Sequence, residues 1–232
     1  IVEMLHAGSR DVGFAGADWV AELDGDLVEL VDTGLDPVRV VAAAPRSLAP
    51  EAELPEIPLV IASEYERLTR GWIEERGLDA TFVRSYGATE VFPPEDADLI
   101  VDNTATGSTL EANNLIIVDE LMTSSTRLYA NPSALAHPER RQAIDGLVLL
   151  INSVLEARRR VMVEVNVTAE CLEAVLGVLP CMRRPTISEL AGGDGFAVKA
   201  AVPRTDLPTV MPKLKAAGGS DVVVTNLAQI VP

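Results

Sequence analysis

The chain has 232 residues, 48% of them hydrophobic and 23% charged, a composition that suits one or more globular domains and excludes a disordered chain. A formal net charge of −16 argues against a nucleic-acid surface, and with only 4% aromatic residues the core must come from Val, Leu, Ile and Ala, as in parallel α/β layers. No stretch reaches the ~20 apolar residues of a membrane-spanning helix.

In chain order, residues 12–15 predict a short strand leading to a helix over 18–22 with Asp18 as N-cap. Residues 38–44 are a nearly continuous apolar run rich in Val and Ala, the pattern of a buried strand. The acidic, Pro-rich stretch 45–58 reads as a connection, and 59–62 as another strand. Ser63 with Glu66 three positions later has capping-box spacing, predicting a helix that runs to Arg76 and stops at Gly77. Residues 81–83 restart a strand and 91–95 form a loop turned by Pro93 and Pro94. This alternation implies a parallel sheet with right-handed crossovers.

Residues 97–118, ADLIVDNTATGSTLEANNLIIV, are the most informative stretch. A buried strand over 97–101 delivers Asp102 toward a crevice, and a loop follows that contains Thr104, Ala105, Thr106, Gly107, Ser108 and Thr109. Gly107 permits close backbone approach, the hydroxyls of Thr106, Ser108 and Thr109 can donate to phosphate oxygens, and free N–H groups at a helix start favour an anion. An ordinary turn N-capped by Ser108 or Thr109 would read the same way. Beyond it, 116–123 and 125–130 predict two strands, and 139–160 the longest helix, with an apolar stripe from Ile144 to Leu155. Residues 161–167, 169–178, 186–190, 196–202, 207–217 and 221–225 then follow as strand, helix, strand, strand, helix and strand, a ferredoxin-like βαββαβ order. Pro212 falls inside the second of these helices, where it should kink it. Arg158 to Arg160 read as a helix end favoured by the dipole. Cys171 and Cys181, with no CxxC and no paired His, read as apolar residues of a reducing compartment, and neither His6 nor His137 has ligand-like spacing.

The segment with Asp102, Thr106, Gly107, Thr109, Leu110, Glu111, Ala112, Asn113 and Leu115 resembles the phosphoribosyl-diphosphate loop of ATP phosphoribosyltransferases. Gly8, Asp11, Gly13, Gly16 and Asp18 match that family's Gly/Asp signature, and Gly87 with Glu90 its Gly-x-x-Glu. Leu179-Pro180, Pro185-Thr186-Ile187 and Val198-Lys199-Ala200 are similar to the carboxy-terminal regulatory domain of the long form. One departure concerns the start: relatives open with a strand and a Lys-Gly-Arg-type loop, whereas this sequence opens at Ile1-Val2-Glu3. The resemblance thus implies that several dozen residues, with part of the first lobe and of the ATP site, precede it.

The resemblance implies an α/β fold of two periplasmic-binding-protein-like lobes of parallel sheet, followed by the ferredoxin-like domain. Lobe I would be 1–52 with 125–157, lobe II 53–124, and the regulatory domain 160–232. It implies transfer of a phosphoribosyl group to N1 of ATP, with Mg2+ on the diphosphate, as the first step of histidine biosynthesis. Asp102 and Glu90 would be the working carboxylates, residues 104–109 the diphosphate and ribose cradle, and Asp11 and Asp18 nucleotide contacts. Arg39, Arg67 and Arg84 are candidate phosphate partners. Asn166, where relatives often carry an acid, and Thr186 would hold the inhibitor L-histidine. A cytoplasmic homo-oligomer, dimer or hexamer, with neither nucleic-acid nor membrane partners, completes the expectation. The cleft architecture also leaves open a two-lobed solute-binding protein or an inactive regulatory subunit.

Overall fold

The computed structural model describes residues 1–182 and 184–231, and the chain divides into two compact units, Ile1–Ile144 and Asp145–Pro232. In the first unit, α1 (Val2–His6), β1 (Val12–Gly16), α2 (Ala17–Glu22) and β2 (Val28–Pro45) lead into β3 (Leu59–Ser63), α3 (Glu66–Arg76) and β4 (Ala80–Arg84). A 3-10 turn, Thr89–Val91, precedes β5 (Leu99–Thr104), α4 (Ser108–Ala112), β6 (Leu115–Ala130) and α5 (Pro132–Ala136). The 22-residue α6 (Pro138–Arg159), the longest helix as expected, carries the chain into the second unit.

The six strands form one sheet in the order β1-β6-β2-β5-β3-β4. The parallel rhythm holds only where βαβ units occur: β3 lies parallel to β4 and to β5. Elsewhere the sheet is antiparallel, because two long strands run side by side through it. β2 pairs with β5 and β6, and β1 with β6, all antiparallel. The two strands expected over 116–130 are one continuous strand, and β2 begins ten residues before the apolar run that announced it. That early part was illegible because its faces are mostly exposed and its middle is irregular. Register shifts flank Leu35, and Gly34 and Asp36 have positive φ. The irregularity divides the sheet into a half with β1 and a half with β5, β3 and β4.

In the second half, side chains alternate between two apolar layers, as the period of a strand requires. Val40, Ala42, Leu99 and Val101 face Trp72 and Tyr65, while Val41, Ala43 and Ile100 face Leu110 of α4. With both faces covered, β5 reads as an unbroken hydrophobic run, which is why it was easy to find.

Three expected caps are corrected. Asp18 is the second residue of α2, not its N-cap, which is Gly16. Ser63 closes β3, and its hydroxyl donates to the Val101 carbonyl and accepts from Tyr65 N. The N-terminus of α3 is instead capped from another element: the Glu22 carboxylate accepts from Arg67 N and Leu68 N, both at 3.0 Å. The third, Ser108 or Thr109, gives way to Gly107. At the other end of α3, Gly77 takes the left-handed conformation that ends the helix where the sequence placed it.

The second unit holds β7 (Arg160–Val167), a 3-10 turn Ala169–Cys171, α7 (Leu172–Val178), β8 (Thr186–Glu189), β9 (Phe196–Pro203), α8 (Leu207–Ala216) and β10 (Ser220–Asn226). Its antiparallel sheet has the order β10-β7-β9-β8, the ferredoxin-like arrangement. Along β7 alternate residues Val161, Val163, Val165 and Val167 are buried, packing with Val175 of α7 and Val210 and Leu214 of α8. Pro212 lies inside α8. Cys171 and Cys181 are both free thiols, and burial pushes the Cys181 thiol up. No helix among the described residues is long and apolar enough to cross a membrane.

Candidate active site

The site is built at the carboxyl end of β5. Asp102 and Thr104 point to the α4 face of the sheet and Asn103 to the α3 face, by strand alternation. Thr104 is buried, and its hydroxyl accepts from Gly107 N at 3.0 Å, which closes the loop on itself. Gly107 has φ +84, a conformation that a side chain would strain. Ala105, Thr106, Ser108 and Thr109 are exposed around that turn, with the Thr106 and Ser108 hydroxyls 3.0 Å apart. The loop thus gathers several exposed hydroxyl-bearing residues on one small surface, the kind of donor an anion takes, while the N–H groups of Gly107 and Ser108 are held within the turn by Thr104 and Thr106.

Asp102 is largely shielded, and desolvation pushes its carboxyl up to about 6. The Asn103 amide, donating to it at 2.7 Å, works in the opposite direction, while the charges of Glu90 and Glu64 add to the rise. Glu90, in the 3-10 turn, is half-buried and close enough for Asp102 to feel its charge, so the two carboxylates named from sequence share one region. Among the described residues no three His, Cys, Asp or Glu side chains converge as a metal cage.

The Gly/Asp signature is split by the fold. Asp18 is 5% exposed, and both of its oxygens are engaged. Ser124 Oγ donates to Oδ1 and Tyr65 OH to Oδ2, each at 2.7 Å, and Asn103 Nδ2 donates to the Tyr65 oxygen at 2.9 Å. Burial first, then the Asp18 hydrogen bond and charge, drive the Tyr65 hydroxyl far above its ordinary pKa. Asp11 is elsewhere, at the opposite end of β1, paired with Arg140 at 3.0 Å. Tyr65, Asn103 and Ser124 were missed by sequence reading, since partners 38, 47 and 106 residues apart leave no local pattern.

The three candidate arginines all have protein partners. Arg39, opposite Thr104 in the ladder, meets Glu120 at 3.3 Å; Arg67 meets Asp24 at 2.9 Å; Arg84 meets Glu66 at 2.8 Å. On the α3 side, Trp72 Nε1 donates to Asp119 at 2.7 Å and Arg76 pairs with the same carboxylate. Burial would raise Asp119, but those partners and the Glu120 amide outweigh it and hold the carboxyl below its usual value.

In the second unit, Asn166 of β7 and Thr186 of β8 belong to the sheet face away from the helices, with β9 between them. Asn166 Nδ2 donates to Asp221 Oδ2 at 3.3 Å, so β10 brings a carboxylate beside the amide. On the same face Lys199 pairs with Glu164 at 2.5 Å.

Comparison with known proteins bears on both units. Residues 1–153 match the family model described as ATP phosphoribosyltransferase, and residues 157–229 the model described as the HisG C-terminal domain. ATP phosphoribosyltransferases from Pelotomaculum thermopropionicum and Desulforudis audaxviator are 34% and 36% identical, over 100% of this chain and 82% of theirs. The solved ATP phosphoribosyl transferase (HisG:HisZ) complex from Thermotoga maritima contains a chain 30% identical, with a TM-score of 0.58 over 63% of this chain and 71% of that one. A solute-binding protein would not account for both family matches. The chain belongs to the ATP phosphoribosyltransferase family.

Proposed function

We propose that the chain transfers the phosphoribosyl group of phosphoribosyl diphosphate to N1 of ATP, releasing diphosphate in the first step of L-histidine biosynthesis. The observation that carries this is the turn after β5, where Thr104 fixes Gly107, where Thr106, Ser108 and Thr109 are exposed, and where Asp102 precedes the turn on the same strand. The reaction separates positive charge on the ribose from negative charge on the leaving diphosphate. Its catalysis consists of alignment and of fixed dipoles aimed at the departing group. Backbone N–H groups of Ala105, Thr106 and Thr109 and the loop hydroxyls stabilise the diphosphate, and Asp102 holds ribose hydroxyls in its ionised form, with Glu90 alongside. Magnesium fits this donor set: hard oxygens from one or two carboxylates and the substrate's phosphates are its preferred ligands. Asp102 and Glu90 are the residues that would hold it, and its contribution is to neutralise diphosphate charge.

Lobe I corresponds in this reading to 1–52 with 125–157, lobe II to 53–124 and the regulatory domain to 160–232. Asp11 is exposed enough to reach a nucleotide. Asp18, with both oxygens already bonded, acts on the site through its neighbours. Asn166 and Thr186 receive L-histidine on the open sheet face, and Asp221 supplies the acid that position 166 lacks for the ammonium. Feedback inhibition then requires histidine to favour one arrangement of a homo-oligomer, dimer or hexamer, over another.

The test is phosphoribosyl-ATP formation, followed by absorbance, by this chain and by a version extended upstream, with ATP, phosphoribosyl diphosphate and magnesium, each with and without L-histidine. Histidine-sensitive product formation by the extended version is expected. A folded protein that neither binds phosphoribosyl diphosphate nor forms product overturns the reading.

A further inference from the structure

We propose that Tyr65 is a positioning residue, whose buried hydroxyl holds the end of β5, and with it Asp102 and the loop 104–109, in register with α2 and β6. The inference rests on the transferase reading of that loop. Tyr65 has no exposed surface, so it cannot touch a substrate. Its hydroxyl is the shared atom of a chain of side chains: Asn103 donates to it, it donates to Asp18, and Ser124 donates to the other oxygen of Asp18. The backbone amide of Asp18 returns a bond to Ser124 Oγ at 3.1 Å, which fixes both partners. Trp19 packs on the Tyr65 ring with centroids 5.0 Å apart, limiting where the hydroxyl can go.

Asn103 lies between Asp102 and Thr104, and its side chain leaves the strand on the opposite face from both. A pull on Asn103 therefore sets the height and twist of the strand end without occupying the surface where the ligand lies. The other end of the chain, Ser124, pairs with Val38 where β2 passes from one half of the sheet to the other. The network thus links the strand end that carries the loop to α2 and to β6 at Ser124. Groups that bind the diphosphate belong to the loop, and so survive loss of the link. What the link adds is alignment between a substrate held there and one held on the α2 side, which governs turnover more than binding.

Tyr65→Phe keeps the ring and removes only the oxygen. The expected result is a kcat lowered by about tenfold or more, with both KM values within about threefold of wild type. Amide hydrogen exchange at residues 105–109 of the unliganded protein should also become faster. Asn103→Ala should reproduce the kcat loss, and the double variant should be no worse than either single one. A Tyr65→Phe protein with wild-type kcat and loop exchange overturns the inference, even if its melting temperature falls. So does a rise in KM at unchanged kcat, or simple additivity with Asn103→Ala. Wild-type protein that neither binds phosphoribosyl diphosphate nor turns over overturns the transferase reading itself, and this inference with it.

Discussion

The two units solve the problem of order in different ways. Among the described residues, eleven buried polar or charged side chains lie in the first unit, from Asp18 to Asn131, and the second has one, Ser153. The second unit's core is a layer of valines with Leu214, held by burial that has no direction. The first unit spends directional bonds where chemistry needs fixed geometry: Glu22 on the start of α3, Thr104 on the turn at Gly107, and the Tyr65 network behind β5. Apolar packing tolerates many arrangements of similar volume, whereas a buried hydrogen bond tolerates few, because an unmet polar group is costly. The unit that is to align two substrates accordingly carries the polar interior.

Substitutions can break this contrast, beginning with the largest effect. Leu214→Ala, at a fully buried position of the second unit, should cost about 2–5 kcal/mol in denaturant unfolding and abolish histidine sensitivity, while activity at permissive temperature persists. Loss of activity in parallel with that unfolding would show that the two units are not separable.

Asp102→Asn should lower kcat/KM by about a hundredfold, equivalent to about 2.7 kcal/mol, while raising stability at pH 7, where the ionised carboxylate it replaces is disfavoured by burial. The same variant carries a pH signature. Burial raises the Asp102 carboxyl from 3.8 to about 6, so the folded state holds its proton more tightly than the unfolded chain. This residue's contribution to stability is therefore present at low pH and lost as pH rises from about 4 through 6. Urea midpoints between pH 4 and 7 should show that loss in wild type and not in Asp102→Asn. Binding of phosphoribosyl diphosphate should strengthen over the same interval as the carboxylate forms.

Glu22→Ala leaves two N–H groups of α3 without their cap and should cost about 1–2 kcal/mol in the first unit. A neutral result in thermal unfolding would mean that water replaces the carboxylate and that directional bonding matters less here than proposed. Glu120→Gln, which breaks the half-exposed pair with Arg39, should change stability by less than about 1 kcal/mol.

Legibility followed locality. Gly77 ends α3, the alternating valines of β7 mark a half-buried strand, and the ferredoxin-like order of the second unit could be read from periodicity. The strand–turn–helix after residue 98 was equally plain, because each of its signals lies within a few positions of the next. The caps misled for the opposite reason: Ser63 and Asp18 are residue types that cap helices, yet each has a longer-range partner that satisfies it better. The antiparallel half of the sheet was hidden as well, since β2 and β6 pair over separations that no window spans and the early part of β2 is largely exposed.

By itself the sequence determined the family, the βαββαβ order and the loop at 104–109, because residue type and spacing encode backbone conformation and apolar faces locally. Only the tertiary structure decided that Asp18 stands behind the loop through Tyr65 while Asp11 pairs with Arg140. The same holds for Glu22 at α3 and for Asp221 beside Asn166. Those are choices of partner for buried or crowded polar groups. Such a group bonds with whatever the packed chain brings within about 3 Å, however distant in sequence.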